Sequence, residues 1–245
     1  MGTTRKDYKW PIRPIRRFCH TSRHRHDDGK ENLLTSIELA SAHDEEGHPL
    51  VPEVCIYFNG HLLRGNRSTK QNTEGFNAFD TFNYPHLCDV GVTFNFNTHY
   101  ILKPDYNSPM IPHTAMDPNV VVFSIFPGIQ ESIVRHVLES PELRGIVMRS
   151  FGSGNAPQKP WLLRLLKDAS LRGVTIVNIT QCISGSVEMG RYDAGYQLKE
   201  AGVVSGYDST VESAVTKLMY LQAKYTDNNL IRSNMTRCLC GEMTK

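Results

Sequence analysis

From about residue 30 onward, apolar runs of strand length alternate with stretches of helical periodicity. Over Lys30–His43, Leu33, Leu34, Ile37, Leu39 and Ala40 recur at helical spacing, with Asp28 placed to cap. Glu53–Phe58 (E-V-C-I-Y-F) predicts a short buried strand, ended by the turn pair Asn59-Gly60. Residues 64–90 are polar and rich in Gly and Asn, with isolated aromatics, the pattern of an ordered functional loop. Pro104, Pro109, Pro112 and Pro118 mark residues 104–118 as an inter-domain linker. Beyond it the alternation is cleaner: strand Val120–Phe126, helix Gln130–Leu138, strand Gly145–Arg149, helix Pro160–Leu171, strand Val174–Ile179, and helices Ser209–Tyr225 and Asn228–Cys238. Pro160 suits a first helical turn and Gly173 a helix end. Strands of continuous Val/Ile character with helices between them predict an α/β fold, its parallel sheet covered on both faces.

Composition narrows the function classes. Of 245 residues, 40% are hydrophobic and 21% charged, as in a globular protein. The net charge of +2 is uneven: residues 1–30 hold nine Lys and Arg against three Asp, a net of +6, which leaves −4 for the other 215. A mildly acidic body asks for neither nucleic acid nor anionic lipid. No apolar run approaches the roughly 18 residues of a membrane span. The first residues have no apolar core of a secretory signal. Six scattered cysteines include no C-x-x-C pair, and Cys238 and Cys240 stand too close for an ordinary disulfide. Free thiols in a reducing cytoplasm are the expectation.

Two segments look chemical. Arg64-Gly65-Asn66-Arg67-Ser68-Thr69-Lys70 follows the Glu53–Phe58 strand, and loops at the carboxyl ends of parallel strands bind ligands in α/β folds. Its three cations and two hydroxyls suit a carboxylate or phosphate, and a buried Lys beside hydroxyls can relay protons. The alternative is a solvated basic loop. Arg149-Ser150-Phe151-Gly152-Ser153-Gly154-Asn155 ends another strand, where G-S-G lets backbone amides approach an anion or another subunit; a tight structural turn is the other reading. It is not a dinucleotide fingerprint, since the third Gly is missing. Cys182, after Thr180-Gln181, either points into a cleft or is an inert thiol. The ten His form no metal-ligand spacing, His24 and His26 included. No G-x-S-x-G elbow occurs.

Taken together these segments resemble the asparaginase family, most nearly the bacterial type I (cytoplasmic) L-asparaginases. The resemblance rests on Asp28-Gly29-Lys30-Glu31-Asn32-Leu33, Arg64 to Lys70, Phe79 to Pro85 (F-D-T-F-N-Y-P), Phe126-Pro127-Gly128-Ile129, Phe151 to Pro157 (F-G-S-G-N-A-P), Thr180-Gln181-Cys182, and Ala201 to Ala214 (A-G-V-V-S-G-Y-D-S-T-V-E-S-A). Order and spacing hold from about residue 28 to the end. The resemblance implies a parallel-sheet N-terminal domain and a smaller α/β C-terminal domain. It implies hydrolysis of L-asparagine to L-aspartate and ammonia, without cofactor or metal, by a Thr nucleophile assisted by a second Thr, an Asp and a Lys. That Lys maps onto Lys70. A Thr hydroxyl is a poor nucleophile at neutral pH and needs such a base. A second, allosteric asparagine site would involve Thr69, Arg149 and Cys182. A cytoplasmic homodimer or homotetramer is also implied.

The departures are as informative. The family's T-G-G-T-I and H-G-T-D-T segments, which supply the two Thr and the Asp, do not occur here. Where the family has an apolar strand, residues 13–26 are dense in Arg and His, which a buried strand could hold only at severe desolvation cost. The organisation expected is therefore an aberrant basic tail over 1–27, from out-of-frame translation or a wrong start, a partial, incomplete N-terminal domain over 28–103, the linker, and a C-terminal domain over 119–245. Such a chain is expected to be inactive and less stable, with apolar surface exposed on the Glu53–Phe58 strand and the Lys30–His43 helix. The competing expectations are a non-catalytic asparagine-binding or oligomerisation module and a related glutaminase or amidase.

Overall fold

The structure, a computed structural model, describes residues 28–75, 77–109, 111–190 and 193–244. The basic tail over 1–27, with His24 and His26, lies outside the described residues. The chain divides into two compact units: Met1–Pro112 with Leu239–Gly241, and His113–Cys238 with Glu242–Lys245.

The first unit opens with α1 (Asp28–Ser41). Leu39 is buried against Leu62, Leu87 and Cys88, whereas Leu33, Leu34 and Ile37 are 39–47% exposed. Next come β1 (Cys55–Phe58), β2 (His61–Arg64), β3 (Thr69–Lys70), β4 (Phe79–Asp80), β5 (Cys88–Val90) and β6 (Phe94–Phe96). One sheet has the order β1-β2-β5-β6, and β3 pairs with β4. Here the sequence reading is corrected: every one of these pairings is antiparallel, so among the described residues the parallel order is confined to the second unit. The reason is the Asn59-Gly60 turn. Both residues have positive φ, 48° and 78°, as a two-residue hairpin turn demands, and such a turn sends the chain straight back beside β1.

Behind that hairpin lies a buried charge pair. Arg64 and Glu53 are each 3% exposed and meet through two hydrogen bonds, Nε to Oε2 and Nη2 to Oε1, the latter at 2.9 Å. Burial works against the Arg64 charge, but the hydrogen bonds and field of Glu53 more than offset it and hold the guanidinium above its ordinary pKa. The remaining capacity is filled: Arg64 donates to the carbonyls of Tyr100 at 2.8 Å and Gly241 at 3.3 Å, and Glu53 Oε1 accepts from Leu102 N at 2.6 Å.

The second unit is a parallel sheet of order β10-β9-β8-β7, formed by β7 (Val120–Ser124), β8 (Gly145–Ser150), β9 (Thr175–Thr180) and β10 (Val204–Ser205). Its helices are α2 (Glu131–Leu138), α3 (Pro160–Leu171), α4 (Asp193–Glu200), α5 (Val211–Lys224) and α6 (Asn228–Met235). Ile146, Met148 and Ile176 join Val134, Leu138, Leu162, Leu166 and Leu198 in one core. The alternate strand positions, Val147, Val177 and Ile179, are at most 1% exposed as well, on the side where α5 lies against β7 and β8. A sheet buried on both faces explains why its strands read as unbroken apolar runs. The caps are local: Thr210 accepts from Ser213 N at 3.2 Å, and Asp227 from Asn229 N at 2.8 Å. No helix among the described residues is long and apolar enough to cross a membrane.

Replacing Arg64 by Leu strands a buried carboxylate and is expected to cost about 3–5 kcal/mol in urea unfolding of the first unit. The double variant Arg64→Leu, Glu53→Met is expected to recover most of that loss, because it leaves no unpaired charge.

Candidate functional site

The R-G-N-R-S-T-K segment leaves β2 through a single 3-10 turn, Gly65–Arg67, and enters β3. Gly65 is fitted to that path: a Cβ there would meet the Val54 carbonyl oxygen at 2.8 Å. The segment's polar groups are mostly spent on the fold. Arg67, 2% exposed, donates to Asn83 O at 2.8 Å, and Ser68 Oγ donates to Arg64 O at 2.7 Å. Both guanidinium groups lie against the Tyr84 ring, at 4.4 and 5.0 Å from its centre. The two Arg that looked able to hold an anion are therefore structural.

Thr69 and Lys70 lie beyond the 3-10 turn, on β3. Thr69 is half-buried opposite Asp80, and Lys70, opposite Phe79, is exposed rather than buried. Its Nζ sits 5.8 Å from the Phe79 ring centre, and no carboxylate among the described residues lies within ion-pair distance of it.

Arg149 and Cys182 come together in the second unit, at the carboxyl ends of β8 and β9. Thr180 Oγ1 donates to Gly152 O at 2.6 Å and accepts from Cys182 N at 3.0 Å, which ties the two loops to one hydroxyl. The Gln181 amide donates to Ile125 O at 2.6 Å and to Arg149 O at 2.8 Å. The Gly loop closes on itself: Phe151 N and Asn155 N each donate across the Phe151–Asn155 bridge, and Gly154 N donates to Phe151 O. Three of the loop's amides are thus committed to a tight structural turn. Gly154 is required there, at φ 113° with Val187 Cγ1 2.7 Å from where a Cβ would stand. Half-buried Arg149 keeps one unsatisfied group, a buried Nε with no hydrogen-bond partner.

Asn178 went unnoticed in the sequence. It is fully buried on β9, and its Nδ2 donates to Gly154 O at 3.1 Å. The signal was present as one Asn inside the apolar strand T-I-V-N-I-T.

Comparison with known proteins bears on all these segments. The family profile described as "Asparaginase, N-terminal" matches residues 20–102, and that described as "Glutaminase/Asparaginase C-terminal domain" matches residues 119–235. The chain belongs to the asparaginase family. It is similar to L-asparaginase 1 of Escherichia coli (strain K12), with 40% identity over 218 residues, 89% of this chain and 62% of that one. It is 40% identical over the same number of residues to the 60 kDa lysophospholipase of Homo sapiens, 37% of whose length is covered. Among solved structures it is similar to L-asparaginase I of Vibrio cholerae, with a TM-score of 0.81, 37% identity, and coverage of 89% of this chain and 64% of that one. The asparaginase-family chain thus spans less than two thirds of the length of these relatives.

The five described cysteines form no disulfide and differ in burial. Burial, followed by the field of Glu53, pushes the Cys55 thiol far up, and burial with Asp89 beside it pushes Cys88 up to about 11. Cys182 is exposed. Native alkylation followed by peptide mass mapping at pH 8 is expected to label Cys182 rapidly. Cys88 labelling is expected to rise only as pH approaches 11 or the first unit opens.

Proposed function

We propose that the chain is an L-asparaginase by descent, built for hydrolysis of L-asparagine to L-aspartate and ammonia, and that these 245 residues alone do not turn over. The observation that carries this reading is the 40% identity to an L-asparaginase across 218 residues and both units. In the proposed reaction a Thr hydroxyl gives up its proton and attacks the side-chain amide carbon, the tetrahedral adduct expels the protonated amine as ammonia to leave an acyl-enzyme, and water hydrolyses that ester to L-aspartate and restores the hydroxyl. Lys70 serves as proton relay for that Thr once an Asp partner stands beside it. The geometry of Lys70 supports the role, since it is the cation of its segment whose charge is not spent on the fold.

Arg149 and Cys182, at the carboxyl ends of β8 and β9, are proposed as the second unit's part of an allosteric asparagine site. The buried, unsatisfied Nε of Arg149 supports a polar ligand there. The proposal includes a homo-oligomer in a reducing cytoplasm, with the free thiols in support.

Two measurements test this. Incubated with asparagine, the purified chain is expected to release no ammonia above background; turnover at an ordinary enzymatic rate would refute the claim that it lacks its nucleophile. Asparagine at 100 times its Kd is expected to stabilise the chain by about 2.7 kcal/mol if the binding site is formed. Loss of that shift in Arg149→Met, with the melting temperature of the free chain unchanged, would assign the effect to the proposed site.

A further inference from the structure

Groups able to hold a cation collect on the outer face of the first unit's sheet. His61 on β2 and Asp89 on β5 stand directly opposite each other in the antiparallel register. Their neighbours along the ladder, Leu62 and Cys88, are buried, so strand alternation turns His61 and Asp89 outward together. His86 is held three residues before Asp89, where its carbonyl accepts from Asn97 Nδ2 at 2.9 Å and Leu87 N donates to Leu62 O at 2.8 Å. The side chains converge. His61 Nδ1 lies 2.8 Å and His86 Nδ1 2.9 Å from the same oxygen, Asp89 Oδ1, with the two rings 4.1 Å apart. One ligand atom from each residue lies within 4.8 Å of the others.

We propose that His61, His86 and Asp89 form a binding site for one divalent transition cation of the zinc class. The donor set decides the class: two imidazoles and a carboxylate suit zinc, cobalt, nickel or copper, whereas calcium and magnesium take oxygen ligands. A support behind the ligands is also present. His86 Nε2 faces Asp80 Oδ1 at 3.6 Å, and Asp80 is itself held by Thr81 N at 2.8 Å. A carboxylate on the far side of a ligating ring helps to orient it toward the metal. The side chains of His61, His86 and Asp89 are 28–48% exposed, which leaves room for water to complete the coordination. A second cluster, Asp44, Glu46 and His48, has one imidazole, and its Asp44 Oδ1 is committed to two backbone amides. It lacks the convergence seen here. The site is independent of the proposed hydrolysis.

The test is a zinc titration of the full 245-residue chain followed by X-ray absorption at one equivalent. The expected spectrum shows two imidazole nitrogens and oxygen at about 2.0–2.1 Å; a sulfur shell near about 2.3 Å would hand the cation to the cysteines and overturn the proposal. His61→Ala and His86→Ala are each expected to remove this binding step, with Asp80→Asn weakening it about 10-fold and His48→Ala leaving it unchanged. Should an Ala variant unfold by circular dichroism, His61→Asn and His86→Asn replace it with the same expected loss. Unaltered affinity in folded His61 and His86 variants would overturn the site.

Discussion

A guanidinium and a carboxylate shut away from water govern the first unit. Neither Arg64 nor Glu53 tolerates burial without the other, so every group they meet is held to the geometry that satisfies them. The magnitudes separate this pair from the exposed ones. Arg135 bridges Glu131 and Glu139 along α2 in water, where solvent screens such pairs and leaves them little net effect on stability. From Arg64 the consequences pass down the chain: Ser68 is anchored on its carbonyl, Arg67 on Asn83, and β3 starts from there. Lys70 owes its exposed place to charges buried six residues earlier.

The second unit rests on a different principle. Its order comes from apolar area, with the central sheet residues Ile146, Val147, Met148, Ile176 and Val177 at 0% exposure, and its most buried charge is paired. Lys217 shows the rule. It is 7% exposed and pairs with Glu242 at 2.6 Å, while its remaining protons go to the carbonyls of Met235 and Arg237. The loops at the carboxyl ends of β8 and β9 inherit that rigidity through Asn178, Thr180 and Gln181.

The two units were legible in the sequence to different degrees, for physical reasons. In the second, strands buried on both faces spell themselves out as Val/Ile runs, and the helix Pro160–Leu171 carries its own Pro and Gly punctuation. α4 and β10 escaped, one a polar helix and the other a two-residue strand. In the first unit, strands of two to four residues carry too little periodicity to reveal direction, and Asn59-Gly60 was taken as a strand end when it turns a hairpin. The motif residues were found but not sorted. Nothing in R-G-N-R-S-T-K tells which cation is structural, because the partner of Arg64 lies 11 residues upstream and that of Arg67 16 residues downstream. The histidine pair was invisible for the same reason, since residues 61 and 86 become neighbours only through the β2–β5 register.

The first unit is not a continuous length of chain. Leu239–Gly241 completes it, and Gly241 is shaped for that place: its φ is 79°, a Cβ would stand 2.6 Å from Arg64 Nη1, and its carbonyl accepts a hydrogen bond from the buried guanidinium. On the ribosome, then, Arg64 must wait for Leu239–Gly241, with Gly241 made 177 residues after it. Until they emerge from the exit tunnel, Arg64 lacks one acceptor, and the nascent first unit can be only a partly finished intermediate.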